Sequence, residues 1–219
     1  MQATKRRDAA ARAATGGDET RRRILDGFGA AVAERGYAAT TIADIVRHAQ
    51  VSKRTFYERF VDKEECFLAS FEAAAEGKLD LVRRALDTGG AWEERLEAAL
   101  LAYLEAREAR PALSRTHLLE IQAAGARALE LRRDVLQRFA NVLRRFAESV
   151  SKSEPDVHAL SPAMALAIVG GINELLLLGE ETGSPKRVSE LAETACVLVR
   201  GAMAAPRGPA PKARRARKG

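Results

Sequence analysis

The chain has 219 residues, of which 47% are hydrophobic, 30% charged and 5% aromatic, and its formal net charge is +6. This balance excludes an intrinsically disordered chain, and the abundance of Ala, Leu, Arg and Glu without period-two alternation predicts an all-α fold. Residues 206–219 contain six Lys or Arg residues and no acid, so this tail alone carries a charge equal to the net charge. The basic balance by itself therefore does not indicate specific DNA recognition.

Cap residues and apolar periodicity predict nine helices. Gly36 ends the first helix, whereas Thr41, Ser52, Asp62 and Ser161 are cap residues that open the second, third, fourth and eighth. The predicted helices cover about 19–35, 42–49, 53–60, 63–87, 92–109, 112–122, 126–150, 162–178 and 185–203. The polar segments 1–18 and 206–219 are predicted to be disordered basic tails.

The second and third helices form a tight pair with one apolar and one polar side. The apolar side chains are Ile42, Ile45, Val46, Ala49, Val51, Phe56 and Phe60. Because few residues join the two helices, they must cross steeply, which leaves the outer face of the third free to enter a DNA groove. That face carries Lys53, Arg54 and Tyr57, flanked by Thr55 and Arg59. The pattern is that of a helix-turn-helix.

This segment resembles the DNA-binding domain of the TetR family of bacterial regulators from about Arg21 to Phe71. The matching motifs are Gly36-Tyr37, Thr40-Thr41, Val51-Ser52, Phe56-Tyr57, Phe60 and Lys63. The resemblance implies a helix-turn-helix domain over 19–65 and a helical ligand-binding and dimerisation domain over 66–205. The chain departs from the family pattern at Gln50, where Gly is usual, so a side chain must tolerate a positive φ there. Ala43 replaces an arginine that contacts bases in some members.

The resemblance also assigns roles to individual residues. It implies that Thr41, Tyr57 and Lys63 contact phosphates and that Ser52, Lys53, Arg54 and Thr55 lie nearest the base edges, with Arg59 beside them. Arg54 or Lys53 to guanine is the expected sequence-reading contact, worth roughly 1–3 kcal/mol of discrimination. Glu58 lies four residues after Arg54, and an internal ion pair is favoured over a cytosine contact.

The family further implies a homodimer through helices eight and nine, a palindromic double-stranded operator, and release by a small molecule. Helices five to eight are expected to enclose an apolar ligand cavity that Tyr103, His117, Gln122 and Asn173 line in part. The effector is unknown, no cofactor is predicted, and family grounds favour a repressor over an activator.

Several features point to a cytoplasmic protein without a membrane anchor. Cys66 and Cys196 lie far apart in apolar helical patterns, which favours reduced core thiols. No apolar run follows the basic N-terminus, so a secretory signal is not predicted. The most apolar segment, residues 163–178, is too short and, with Asn173 and Glu174, too polar for a membrane span.

Two other function classes compete with a regulator. His48, His117 and His158 lie in separate segments without metal-binding spacing, and neither a phosphate-binding loop nor a nucleophile elbow is present, so an enzyme is not expected. A helical protein-interaction module without specific DNA binding is the stronger alternative.

Overall fold

The computed structural model describes residues 2–182 and 188–204, and these residues form helices without strands. The helices are α1 (Gln2–Ala39), α2 (Ile42–Ala49), α3 (Lys53–Tyr57), α4 (Lys63–Leu86), α5 (Trp92–Glu108), α6 (Pro111–Ala123), α7 (Gly125–Ser153), α8 (Pro162–Glu181) and α9 (Val188–Ala204). The predicted all-α class is thereby confirmed over the part of the chain that the structure describes.

Most predicted helix boundaries agree with the structure to within a few residues, and α1 differs most. The helix begins at Gln2, whereas disorder was predicted for residues 1–18; an Ala- and Arg-rich sequence has high helix propensity. The predicted end at Gly36 appears as an interruption, with φ 74° and ψ 162°, before a last turn to Ala39. Residues 185–187 of the predicted ninth helix and the basic tail 206–219 lie outside the described residues.

The first three helices and the start of α4 share one apolar core. Its members from these helices include Ile24, Phe28, Ile45, Phe56, Phe60 and Phe67. Leu113 and Ile121 of α6 and Ala128 of α7 belong to the same core. Through α1, the N-terminal domain therefore packs on α6 as well as on α4.

Helices α4 to α9 form a bundle with two further apolar clusters. Cys196 lies in one of them and Cys66 in the N-terminal core, and both are free, buried thiols. Burial raises the pKa of the Cys66 thiol to about 12, so this sulfur stays protonated and inert.

The last two helices leave large apolar side chains exposed. These are Met164, Leu166 and Leu178 on α8, and Val197 and Leu198 on α9. Among the described helices, α8 is the one long and apolar enough to cross a membrane by length and composition, and 22% of its apolar window is buried within the subunit. A helix that pairs with a second copy of the chain has the same properties.

Candidate DNA-binding interface and regulatory cavity

The α2 helix is fixed at its start by a complete capping box. The Thr41 hydroxyl accepts a hydrogen bond from the Asp44 backbone N–H at 3.3 Å and donates to the Asp44 carboxylate at 2.6 Å. The Thr41 backbone N–H also donates to this carboxylate at 3.1 Å, and the two bonds from Thr41, aided by Arg35 and Arg47, lower the pKa of the Asp44 carboxyl. Thr41 is exposed, as a phosphate contact requires, but in the free protein its hydroxyl proton is given to Asp44.

The turn between α2 and α3 adopts the strained conformation expected at Gln50. Its φ is 52° and its ψ 46°, and it is the one residue other than glycine with a positive φ in the described chain. The guanidinium of Arg23 donates to the carbonyls of Ala49 and Gln50, both at 2.8 Å. Arg23 of α1 thus fixes the turn and with it the angle between the two helices. Its role was not predicted, because no local spacing indicates a bond across more than twenty residues.

The α3 helix exposes the predicted DNA-facing side chains and buries the opposite side. The Ser52 hydroxyl caps the helix by accepting from the Thr55 backbone N–H at 3.0 Å. Phe56 is fully buried and Phe60 nearly so, with ring centroids 5.6 Å apart. Ser52, Lys53, Arg54, Tyr57 and Arg59 are exposed, and Thr55 is half-buried. The structure therefore brings these residues together on one open face.

The regular helix ends at Tyr57, earlier than the predicted Phe60. The chain nevertheless stays in a helical turn, since the Phe60 N–H donates to the Phe56 carbonyl at 2.9 Å. Arg59, in this turn, packs its guanidinium against Gly17 of α1. The buried ring of Phe60 thus remains in line with Phe56 and supports the exposed face from behind.

Arg54 makes the internal ion pair that its spacing predicted. Its Nε donates to Glu58 Oε1 at 3.1 Å, and the Arg54 side chain is 89% exposed. Such an exposed pair contributes little to stability and is readily exchanged for another partner. Arg54 therefore stays exposed and can exchange Glu58 for a partner outside the protein.

Lys63 lies where α4 begins, and its ammonium group binds the end of α1. Its Nζ donates to the carbonyls of Tyr37 at 3.0 Å, Thr40 at 3.0 Å and Ala38 at 3.4 Å. The same atom lies 4.5 Å from the centroid of the Tyr37 ring. All three ammonium protons thus have acceptors within the protein. This geometry favours a positioning role, and the phosphate contact implied by the resemblance stays a prediction.

A cavity of about 150 Å³ lies between the helices of the bundle, from α4 to α9. Its walls are mostly apolar side chains, and three of the four predicted residues, Tyr103, His117 and Asn173, line it. Gln122 is exposed and does not line the cavity. The reason is helical geometry: its neighbour Ile121 points into the core, and one further residue turns the side chain about 100° away.

The structure adds cavity residues that the sequence did not indicate. Lys78, Arg107, Ser114 and Arg132 line the cavity beside the predicted polar residues. They were missed because charged residues within amphipathic helices usually face solvent. Among the described residues, no group of three or more His, Cys, Asp or Glu side chains is arranged to hold a metal ion.

A helix-turn-helix with an exposed basic and aromatic face, joined to a helical bundle that encloses a cavity, is typical of DNA-binding regulators. The family model for bacterial regulatory proteins of the tetR family matches residues 24–70. The HTH-type transcriptional activator FasR of Mycolicibacterium smegmatis is 33% identical over 88 residues, which is 40% of this chain and 40% of that protein.

Solved structures share the whole fold at low sequence identity. The fatty acid degradation regulator FadR of Bacillus halodurans is 19% identical with a TM-score of 0.69, over 82% of this chain and 97% of that one. FadR of Bacillus subtilis in complex with stearoyl-CoA is 18% identical, with the same TM-score and the same coverage. The N-terminal domain therefore matches the tetR family of bacterial regulatory proteins over residues 24–70, and most of the chain shares its fold with these solved regulators.

Proposed function

We propose that this protein is a cytoplasmic homodimer that binds a palindromic operator through α3, represses transcription, and is released by a small molecule. The observation that carries the proposal is the exposed row of Lys53, Arg54 and Tyr57 on a helix that Phe56 and Phe60 support from behind. The proposed domains follow the predicted division, with DNA binding by residues 19–65 and ligand binding and dimerisation by residues 66–205.

The proposed DNA contacts are of two kinds: contacts to phosphates, which position the domain, and contacts to base edges, which recognise the sequence. Thr41 and Tyr57 bind phosphates and fix the orientation of the domain on the duplex. Arg54 and Lys53 reach guanine in the major groove, with Ser52 and Thr55 beside them. On binding, the Arg54 guanidinium exchanges Glu58 for a base edge, which is possible because both partners are exposed.

The dimer forms through the exposed apolar faces of α8 and α9. Met164, Leu178 and Val197 on these faces are 47%, 55% and 67% exposed in the single subunit. Pairing the two helices with their copies would bury these side chains in a four-helix interface. Two recognition helices related by a two-fold axis then meet successive major grooves about 34–36 Å apart, which requires a palindromic site.

The switch runs from the cavity to the helix-turn-helix through aromatic contacts. The His117 ring, on the cavity wall, lies 5.9 Å from the Phe67 ring of α4, and Phe67 lies 5.0 Å from Tyr37. Tyr37 in turn contacts Lys63, which holds the end of α1. A ligand that moves α4 therefore also moves the element on which α2 and α3 pack.

The coupling between ligand and operator must be reciprocal, and couplings of about 1–3 kcal/mol are typical. An apolar effector suits the cavity walls, and the FadR of Bacillus subtilis, with stearoyl-CoA bound, supports this choice. The FasR relative is an activator, so the sign of regulation is tested with a promoter reporter. If the reporter falls when the gene is deleted, repression is wrong.

The central experiment selects bound genomic fragments and then compares Arg54→Ala with the wild type on the selected operator and on random duplex. Arg54→Ala should weaken operator binding by roughly tenfold or more, as loss of a bidentate guanine contact does, and random binding much less. Arg84→Ala, an exposed arginine far along α4, is the matched control and should change neither.

Equal losses on operator and random DNA would overturn the base-reading role of Arg54. If no duplex is bound more tightly than random DNA, the chain is instead a helical interaction module. The dimer is tested by light scattering of the wild type and Val197→Glu at micromolar concentration. A monomeric wild type would contradict the proposed interface.

A further inference from the structure

The charged residues on the cavity wall are all cationic. Lys78 comes from α4, Arg107 from α5 and Arg132 from α7, and no Asp or Glu of the described chain lines the cavity. The remaining walls are mainly aliphatic and aromatic, including Val82, Leu100 and Phe139. An apolar cavity with cations and no acid is complementary to a ligand that has an apolar body and an anionic group.

Lys78 lines the cavity without a counterion. Its ammonium group forms no hydrogen bond or ion pair with any residue that the structure describes. Burial, and next the charge of Arg107, lower the pKa of Lys78 to about 8. Lys78 is half-buried, and an ammonium that is partly removed from water without a partner is costly, a cost that an anion in the cavity would offset.

Arg107 and Asn173 supply further donors at the same cavity. The Arg107 side chain is 11% exposed, and its Nη2 lies 3.4 Å from Glu180 Oε1, so only part of the guanidinium is engaged. Burial, and next the charges of Lys78 and Arg107, lower the pKa of His117, which lines the same cavity. The side-chain nitrogen of Asn173 is buried without a hydrogen-bond partner.

We propose that the cavity binds an aliphatic carboxylate, with the carboxylate between Lys78 and Arg107 and the chain among the apolar walls. The proposal specifies the effector of the regulatory cavity and so rests on the proposed function. A free acid fits better than a thioester, because an uncharged thioester carbonyl would leave Lys78 without an anion.

The test is calorimetric titration of the full-length, DNA-free protein with decanoate, decanol and decanoyl-CoA. The variants are Lys78→Met, which keeps the length of the side chain, Lys78→Arg, which keeps the charge, and the exposed control Arg84→Met. Decanoate affinity should fall by about tenfold or more in Lys78→Met, and be largely kept in Lys78→Arg and Arg84→Met. Decanol should bind weakly and equally to all four proteins.

A second measurement follows the protonation of Lys78 in the wild-type protein, with Lys78→Met as the control. At pH 8.5, a carboxylate bound to Lys78 should raise the pKa of this lysine and cause proton uptake, seen as a binding heat that depends on the buffer. The other charged or titratable groups that line the cavity are Arg107, Arg132, His117 and Tyr103. Burial lowers the pKa of His117 to about 3 and raises the pKa of Tyr103, so these two side chains stay neutral at pH 8.5. The uptake should be absent in Lys78→Met.

The outcomes separate this proposal from the proposed function. Unchanged decanoate affinity in Lys78→Met, tighter binding of decanoyl-CoA than of decanoate, or no decanoate binding would each overturn the carboxylate site, while operator binding could still stand. Lysine-dependent decanoate binding that leaves operator affinity unchanged would instead support the site and contradict the switch.

Discussion

The Ser70 hydroxyl oxygen and the Nε2 atom of His117 lie 3.1 Å apart in the interior, where they join α4 to α6. The imidazole is also flanked by the rings of Phe67 and Phe71, with centroids at 5.9 and 5.7 Å. Since His117 lines the cavity and α4 begins at Lys63 beside the helix-turn-helix, this contact joins the cavity wall to the helix that leads to the DNA-binding domain.

His117 should make the stability of the protein decline in acid. Burial, and next the charges of Lys78 and Arg107, lower the pKa of His117 from 6.5 to about 3, so the folded protein keeps the ring neutral. The unfolded chain takes up a proton as the pH falls below 6.5, whereas the folded chain does not until about 3. The stabilisation is therefore complete above pH 6.5 and is lost progressively on acidification.

Urea unfolding at pH 7 and at pH 5 measures this effect, with His117→Gln as the non-titrating comparison. Between pH 7 and pH 5, the free energy of unfolding should fall more in the wild type than in His117→Gln. The difference corresponds to uptake of one proton by the unfolded chain and should reach about 2 kcal/mol. Glu34 and Asp44 contribute the same pH dependence to the stability of the wild type and of His117→Gln, so their contribution cancels when the two proteins are compared. Parallel pH profiles would show that His117 is not held neutral.

Gly27 should be essential for packing α1 against α2. A Cβ at this position would lie 2.7 Å from both the Ala49 nitrogen and the Ile45 carbonyl oxygen, which are backbone atoms that cannot move aside. Gly27→Ala is expected to destabilise the protein by about 1–3 kcal/mol and to weaken operator binding. Thermal unfolding and operator titration measure the two effects.

Gly77 provides the matched control, because a Cβ there would meet nothing within 4 Å. Gly77→Ala, within α4, should stabilise the protein by about 0.5–1 kcal/mol. Equal melting temperatures for the two variants would contradict the close α1–α2 contact.

Lys63→Met should distinguish positioning from phosphate binding. Loss of the bonds to the Tyr37 and Thr40 carbonyls is expected to lower the free energy of unfolding by about 1–2 kcal/mol. Operator affinity should fall while the salt dependence of binding keeps its slope. A slope reduced by about one, with unchanged stability, would instead support the phosphate contact that the family resemblance implies.

Gln50→Gly should stabilise the turn between α2 and α3. A side chain at φ 52° costs about 1 kcal/mol, and glycine adopts this conformation without that cost. The Arg23 bonds to the turn carbonyls involve only backbone atoms of Gln50 and are kept. The melting temperature should rise in Gln50→Gly and stay unchanged or fall in Gln50→Ala; a lower value for the glycine variant would refute the strain.

The sequence by itself determined the helices and the exposed face of α3. Helix periodicity and caps are local, since Thr41, Ser52 and Asp62 each bond a backbone N–H three residues on. The positions of Lys53, Arg54 and Tyr57 opposite Phe56 follow from the helical repeat alone. The helical start at Gln2 was not predicted, because a polar segment rich in Ala and Arg is compatible both with a helix and with a disordered tail.

Only the tertiary structure decided how distant groups combine. Arg23 at the turn, Lys63 on the end of α1, and Lys78 beside Arg107 in the cavity depend on how helices far apart in sequence pack together. The same packing turned Gln122 outward while it placed His117 inward. Local spacing decides which side of a helix a residue occupies, but what faces that side is fixed only when the nonlocal contacts form.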